Sequence, residues 1–343
     1  MAALDRTRLV HRTLNHFLKR DGIKRLGRVL AMIIPLAFTA SVASAQDYPS
    51  KPIKLIVPWP PGGGADVVAR QLVDKLGQRL GHPIIVLNAP GATATVGTRD
   101  AAQADPDGYT LLLASSEHAI NQAYFKNLPY DGIRDFKAIA GVAVQPIVLS
   151  IGKNLNISTF KELLQASQAN PRKITYANWG KGSLGQLGME LIREKTGLEL
   201  LQVPYRGSLA ALTDVLGGTV DTYMGSFTLA GPQYKAGQLK FLVTPSAKRF
   251  AGYPEVPTFQ DLGFPSIVMG QWYGLLAPAQ TPQPIVDRLA KETLSVVQSD
   301  GFKKFMPAAG LDEFPTNVSF DSFLRSEVER WTKIVKDAGI TPD

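Results

Sequence analysis

Residues 53–66 read IKLIVPWPPGGGAD: an apolar run, three prolines around Trp59, three consecutive glycines and then Asp66. Lys54–Val57 has the composition of a buried strand, and beyond the glycines Val68, Leu72, Val73, Leu76 and Leu80 recur at helical spacing, which predicts a helix over Asp66–Leu80. Glycine loses more backbone freedom on folding than any other residue, so Gly62, Gly63 and Gly64 mark a sharp bend or a close approach by another group. A helix start presents unpaired N–H groups and about half a positive charge, and glycines let an anion reach them. Asp66, at that start, suits capping and dipole stabilisation or a pocket acid.

Working outward, short β-rich runs alternate with helical patterns. Ile84–Leu87 and Tyr109–Ala114 read as further strands, with the turns NAPGA (88–92) and Asp105–Gly108 beside them. The alternation restarts with a strand at Ile147–Ile151 and a helix at Phe160–Gln168, where a capping box begun at Ser158 is not met because Lys161 holds its third place. Lys173–Asn178 is a strand, Gly180–Gly185 a glycine-rich loop and Gln186–Thr196 a helix. Strands at Glu199–Val203, Val220–Met224, Lys240–Pro245 and Gly270–Pro278 follow, with a helix after Ser208 and two amphipathic helices near 284–298 and 319–338. Strand, helix, strand with short Gly/Pro loops predicts an α/β fold built of parallel βαβ units. The two halves echo each other, each carrying strand, glycine loop and helix. Two such helix ends in two lobes can grip one anion from both sides; each also fits a tight βα turn with no ligand.

The chain has 343 residues, no cysteine and a formal charge of +8, a length for two lobes of ordinary domain size. Residues 1–45 hold eight Lys/Arg against Asp5 and Asp21, while the remainder is almost balanced at 29 basic and 27 acidic residues. The positive charge therefore belongs to the leader, and the body has no electrostatic footprint for nucleic acid. In that leader a basic stretch ends at Arg28, an apolar run covers Val29–Ala40, and Ala43-Ser44-Ala45 follows, the order of a secretory signal peptide cleaved after Ala45. The run is about 12 residues and contains Pro35, short of the roughly 20 a membrane span needs. Without cysteine, an oxidising compartment imposes no disulfide framework.

Catalytic patterns are missing. Gly180, Gly182 and Gly185 formally match G-x-G-x-x-G with Glu199 downstream, but that acid begins its predicted strand instead of ending it, against a dinucleotide site. No G-x-S-x-G is present, since Lys181 and Met224 stand where its first glycine would precede Ser183 and Ser226. His82 and His118 have no partner at metal-ligand spacing, so no metal or cofactor is expected. His82 reads as a surface residue and His118 as a structural one. Lys181, inside the second loop, and Arg206, after a strand, are the candidate cations. Trp59 and Trp179 flank the two glycine loops as packing residues or as walls that limit ligand size.

Several stretches closely resemble one family. YPSKPIKLIVPWPPGGGAD (48–66), NAPGA, DPDGYTLLLASS (105–116), LPYD (128–131), ITYANWGKGS (174–183), VPYRG (203–207), LGGTVD (216–221), LVTPSAKR (242–249), PEVPTFQDLG (254–263), QWYGLLAP (271–278) and EVERWTKIVKDAGI (327–340) are similar, in register, to the Bug/TctC proteins, the extracytoplasmic solute-binding proteins of tripartite tricarboxylate transporters. The resemblance implies a type II periplasmic-binding-protein (Venus-flytrap) fold, two α/β lobes joined by two crossover segments and closing on a carboxylate. It places the ligand among Trp59, Gly62, Gly63, Gly64, Ala65 and Asp66; Ser115 and Ser116; Asn178, Gly182 and Ser183; and Tyr205 and Arg206, with ordered waters bridging the carboxylate. Ala65 stands where Ser or Thr is usual, Trp59 where Phe is common, and Met224–Ser226 lacks an acid often found there, which leaves Ser226 at the site and disfavours amino-acid ligands. Lys181 completes the candidate set.

The expectation is a soluble periplasmic protein with lobe 1 formed by 46–146 plus 271–343, lobe 2 by 147–270, and hinge crossings near 144–147 and 268–272. It is expected to be a non-enzymatic monomer that takes a simple or aromatic carboxylate to membrane permease subunits. An orphan carboxylate sensor acting with a signalling partner, or less favourably an exported enzyme, would use the same fold.

Overall fold

The computed structural model describes residues 48–337 and 339–340; the leader, its cleavage point after Ala45 and the start of the mature chain lie outside the described residues. Compactness divides the chain after Ser50, and of the part before that point Tyr48–Ser50 is described, with a cis Tyr48–Pro49 bond.

Strand β1 (Ile53–Val57) pairs in parallel with β2 (Ile84–Asn88) on one side and β3 (Thr110–Ser115) on the other. Helix α1 (Gly64–Leu80) joins the first two, buries Val68, Leu72, Leu76 and Leu80, and stops at Gly81, whose φ of 74° suits glycine. Helices α2 (Thr95–Ala102) and α3 (Ser116–Tyr124) follow. Then β4 (Phe136–Gln145) runs out of this sheet and, after Pro146 alone, becomes β5 (Ile147–Gly152) of a second sheet. That sheet collects β6 (Thr175–Asn178), β7 (Leu201–Pro204), β8 (Thr222–Ser226) and β9 (Leu239–Val243), interleaved with α4 (Phe160–Ala169), α5 (Leu184–Thr196), α6 (Ser208–Leu216) and α7 (Phe227–Lys235). The chain returns through 244–270 to β10 (Gln271–Pro278) in the first sheet, and ends with α8 (Gln283–Val297), α9 (Asp300–Ala308), the two-residue β11 (Asp312–Glu313) and α10 (Phe320–Asp337).

The sheet orders are β11-β4-β10-β3-β1-β2 and β7-β6-β8-β5-β9. Both are mixed, which corrects the expectation of parallel sheets: β10 is antiparallel to β3 and β4, and β5 to β8 and β9. The cause is the crossing itself. One strand carries the chain out of the first sheet and another brings it back, so the two neighbours run in opposite directions. The architecture is a two-lobe α/β fold.

Local sequence explains the helix ends. Ser183 caps α5, its hydroxyl accepting from Gln186 N at 3.3 Å. The box sought at Ser158 starts one residue later: Thr159 accepts from Glu162 N at 3.2 Å, and Glu162 accepts from Ser158 N at 2.7 Å. Helix α10 lies against α3 and β4 and carries Trp331, packed in one core with Trp272 and Phe320. Burying each such ring stabilises the fold by about 1.5–3 kcal/mol, so α10 is a brace on the returning strand. It also holds the segment before that strand: Glu327 accepts from Trp272 Nε1 at 3.1 Å and from Arg330, and Arg330 donates to the Val268 carbonyl.

Candidate functional site

A cleft of about 400 Å³ lies where the lobes meet. The first sheet's side contributes Trp59, Gly63, Gly64, Ala65, Gln145, Gln271 and Tyr273; the second contributes Ile147, Trp179, Arg206, Gly207, Ser208, Leu209 and Ser226. Among the described residues Arg206 is the one charged side chain in its wall. An adjoining cavity shares Trp59, Pro60, Trp179 and Arg206 with it and reaches Lys181 and Tyr205.

Of the residues anticipated from sequence, Trp59, Gly63, Gly64, Ala65, Arg206 and Ser226 therefore line one cleft. Gly62 holds φ at +79°, a left-handed conformation that favours glycine. Gly63 is extended (φ −77°, ψ 171°), with its missing side chain directed to open space apart from Pro60 O at 3.5 Å. At Gly64 a side-chain carbon would stand 2.5 Å from Gln145 Nε2. So Gly62 turns the chain, Gly63 leaves the helix start uncovered, and Gly64 makes room for Gln145.

Asp66 is buried inside this loop. Its carboxylate accepts from Gly62 N (3.0 Å), Arg70 Nε (2.8 Å) and Asn88 Nδ2 (3.0 Å). Burial pushes its pKa up, but the hydrogen bonds from Arg70, Gly62 and Asn88 outweigh that and hold it below the ordinary aspartate value. It organises the loop and does not reach the cleft. Ser115 donates to Glu117 (2.6 Å) and accepts from Trp59 Nε1 (3.2 Å), while Ser116 donates to Gly270 O (3.2 Å) and accepts from Trp272 N (3.1 Å). Both hydroxyls are engaged in fastening the cleft wall and the returning strand.

The second glycine loop is arranged differently. Ser183 caps α5 and donates to Gly180 O at 2.6 Å, Asn178 Oδ1 accepts from Gly180 N at 2.9 Å, and Gly182 N donates to Gln186 Oε1 at 2.7 Å. Leu184 N points to Glu117 Oε1 at 3.3 Å. Its helix start is thus occupied by protein groups. The second-lobe helix starts that open on the cleft are α6, through Gly207 and Ser208, and α7, through its cap Ser226. Tyr205 donates its hydroxyl to Asp214 at 2.6 Å and lines the adjoining cavity.

Sequence reading missed Glu117, Gln145, Gln271 and Tyr273. Glu117 is fully buried and four donors converge on it: Trp179 Nε1 (2.9 Å) and Leu184 N from the second lobe, Ser115 Oγ and Gln271 Nε2 (2.7 Å) from the first. Trp59 joins through Ser115, so both tryptophans beside the glycine loops hang on one carboxylate. Gln145 Nε2 donates to Thr228 Oγ1 at 2.7 Å across the lobes, and its Oε1 accepts from Tyr273 at 2.8 Å. His118 is a buried structural residue, its Nε2 2.8 Å from Gly132 O and its pKa pushed down to about 4 by burial. Among the described residues no cluster of His, Cys, Asp or Glu could hold a metal, and no helix is long and apolar enough to cross a membrane.

Two α/β lobes linked by crossing strands, with a cleft between them on which two helix starts open, define the class of periplasmic binding proteins. Residues 68–340 match the tripartite tricarboxylate transporter family receptor model (TctC), and the chain belongs to that family. It is 33% identical over 321 residues to Protein BugT of Bordetella pertussis, covering 93% of this chain and 98% of that one. The structure of the periplasmic binding protein BugD superposes with a TM-score of 0.81 at 31% identity, over 86% of this chain and 99% of that one. An R. palustris protein solved with adipate gives 0.82 at 28% identity, over 87% and 100%. A periplasmic location follows from the family.

Proposed function

We propose that the protein captures a small carboxylate between its lobes in the periplasm and delivers it to the membrane permease subunits of a tripartite tricarboxylate-type transporter. The observation that carries this is the convergence of helix starts α1 and α6, from opposite lobes, on one cleft whose only charged wall residue among those described is Arg206. First-turn N–H groups and about half a positive charge at each helix start favour an anion there. With no acid in the described wall, the ammonium of an amino acid would lack a counter-charge. The adipate-bound neighbour supports a carboxylate as the anion.

Lobe 1 is taken as 46–146 plus 271–343 and lobe 2 as 147–270, hinged at Pro146 and near 268–272 and closing on the ligand as a monomer. The role is binding without turnover. A thermal-shift screen of mono-, di- and tricarboxylates, aromatic acids, amino acids, sugars and nucleotides tests it. A carboxylate at 100 times its dissociation constant should stabilise the folded state by about 2.7 kcal/mol. A sugar or nucleotide that raises the melting temperature while every carboxylate fails would overturn the reading.

A further inference from the structure

The two crossing segments separate a front from a rear. Gln145, Ile147, Gln271 and Tyr273 line the cleft, while their neighbours Val144, Pro146, Gly270 and Trp272 line a second cavity of about 650 Å³. Successive side chains of a strand point to opposite faces, so the two cavities lie on opposite sides of the hinge. A rotation about that hinge that widens the cleft narrows the rear cavity. We propose that Lys248 and Asp312 close on each other across the rear when the lobes part, steadying the open form and thereby setting the affinity of the cleft. The inference rests on the hinge reading above and holds whatever the ligand.

Asp312 of β11 stands directly opposite Val144 of β4, so the two project to the same rear face. Lys248 comes from the second lobe: Ser246 N donates to Thr244 Oγ1 at 3.2 Å, and that hydroxyl donates to Ile147 O at 2.7 Å. Among the described residues Lys248 is the one charged side chain that this lobe brings to the rear cavity. On the facing wall Glu327 and Arg330 pair at 2.8 Å, which leaves Asp312 and Glu313 against Lys303, a net negative surface. Among the described residues no ion pair joins Lys248 to Asp312, and the lobes are bridged on the cleft side instead, by Gln145 to Thr228 and Glu117 to Trp179. The lysine is nonetheless felt across the gap. Burial pushes the Asp312 pKa up, the Lys248 charge draws it down and Glu313 adds to the rise. Whatever steadies the open form weakens binding, because apparent affinity scales with the fraction of protein that is competent to hold the ligand.

Lys248→Glu sets like charges face to face at the rear and should favour the closed form. X-ray scattering of the ligand-free variant should give a smaller radius of gyration than wild type. By calorimetry, whichever of succinate, adipate and citrate binds the wild-type protein should bind the variant about two- to fivefold tighter, the scale of a half-exposed ion pair. The direction is diagnostic, since removing positive charge would by itself weaken the hold on an anion. Asp312→Asn should act in the same sense and more weakly, and both differences from wild type should fade in about 1 M salt. An unchanged or larger radius in Lys248→Glu, or a difference that persists in that salt, overturns the proposal and leaves the carboxylate reading standing. If none of the three acids binds, the carboxylate reading falls and the radius alone decides this one.

Discussion

The two glycine loops look alike as sequence and differ in what holds them. Gly62–Gly64 is organised from within its own lobe: Asp66 ties back Gly62 and fixes Arg70 and Asn88, and the helix start stays open to the cleft. Gly180–Gly185 is organised in part from across the molecule, through Glu117 of α3, and its helix start faces that carboxylate. A strand–glycine–helix device therefore says that backbone N–H groups are concentrated at a point, not whether ligand or protein uses them. Here one loop faces the cleft and the other joins the lobes.

The sharpest way to break this contrast is Glu117→Ala. It leaves the indole of Trp179, the hydroxyl of Ser115 and the amide of Gln271 without their shared acceptor in a buried position, which should destabilise the protein by about 3 kcal/mol. The same change removes a lobe-to-lobe link, so X-ray scattering should show a larger radius of gyration in the ligand-free variant. An unchanged radius would mean that the Trp179 contact does not hold the lobes together.

Gly63→Val tests the other loop with little disturbance of folding. The backbone is already extended at Gly63 and a new β-carbon meets only Pro60 O at 3.5 Å, so a side chain can start there and project from the helix start. Carboxylate affinity should fall by about 100-fold, the equivalent of losing one or two hydrogen bonds to a charged group. Retained affinity would mean that the first loop is only a turn.

Much of this fold is legible along the chain. Val68, Leu72, Leu76 and Leu80 announce α1, and β1, β3, β5 and β10 stand out as compact apolar runs. β4 does not: in FKAIAGVAVQ the alanines and Gly141 weaken any alternation, and the strand is built to accept neighbours, with Phe314 lying where a Gly141 side chain would be. Strand direction was also hidden, since the sense of β10 depends on where the chain has been between residues 146 and 270. The cleft was half legible. The first loop and Arg206 announce themselves by residue type. Glu117 sits in the first turn of a helix, where an acid ordinarily faces water and the dipole; its burial depends on Trp179, 62 residues on. A glutamine at a strand end, such as Gln145 or Gln271, belongs to no motif at all.

Asp66→Asn gives the smallest and most local effect, and pH separates it from a general loss of packing. The native carboxyl titrates below its unfolded value of about 3.9, because the hydrogen bonds from Arg70, Gly62 and Asn88 outweigh the opposing push of burial. A depressed acid contributes stability that is fully present above the unfolded pKa and is lost as pH falls through the folded one. The variant should accordingly be about 1–2 kcal/mol less stable than wild type at pH 7, with the gap narrowing only below about pH 4. Because Asp66 touches the loop and not the cleft, its carboxylate affinity should drop less than that of Gly63→Val. A gap that stayed constant from pH 7 down to pH 3 would show that Asp66 supports the loop by shape alone, and the contrast between an ionic clamp within one lobe and a buried carboxylate between two would dissolve.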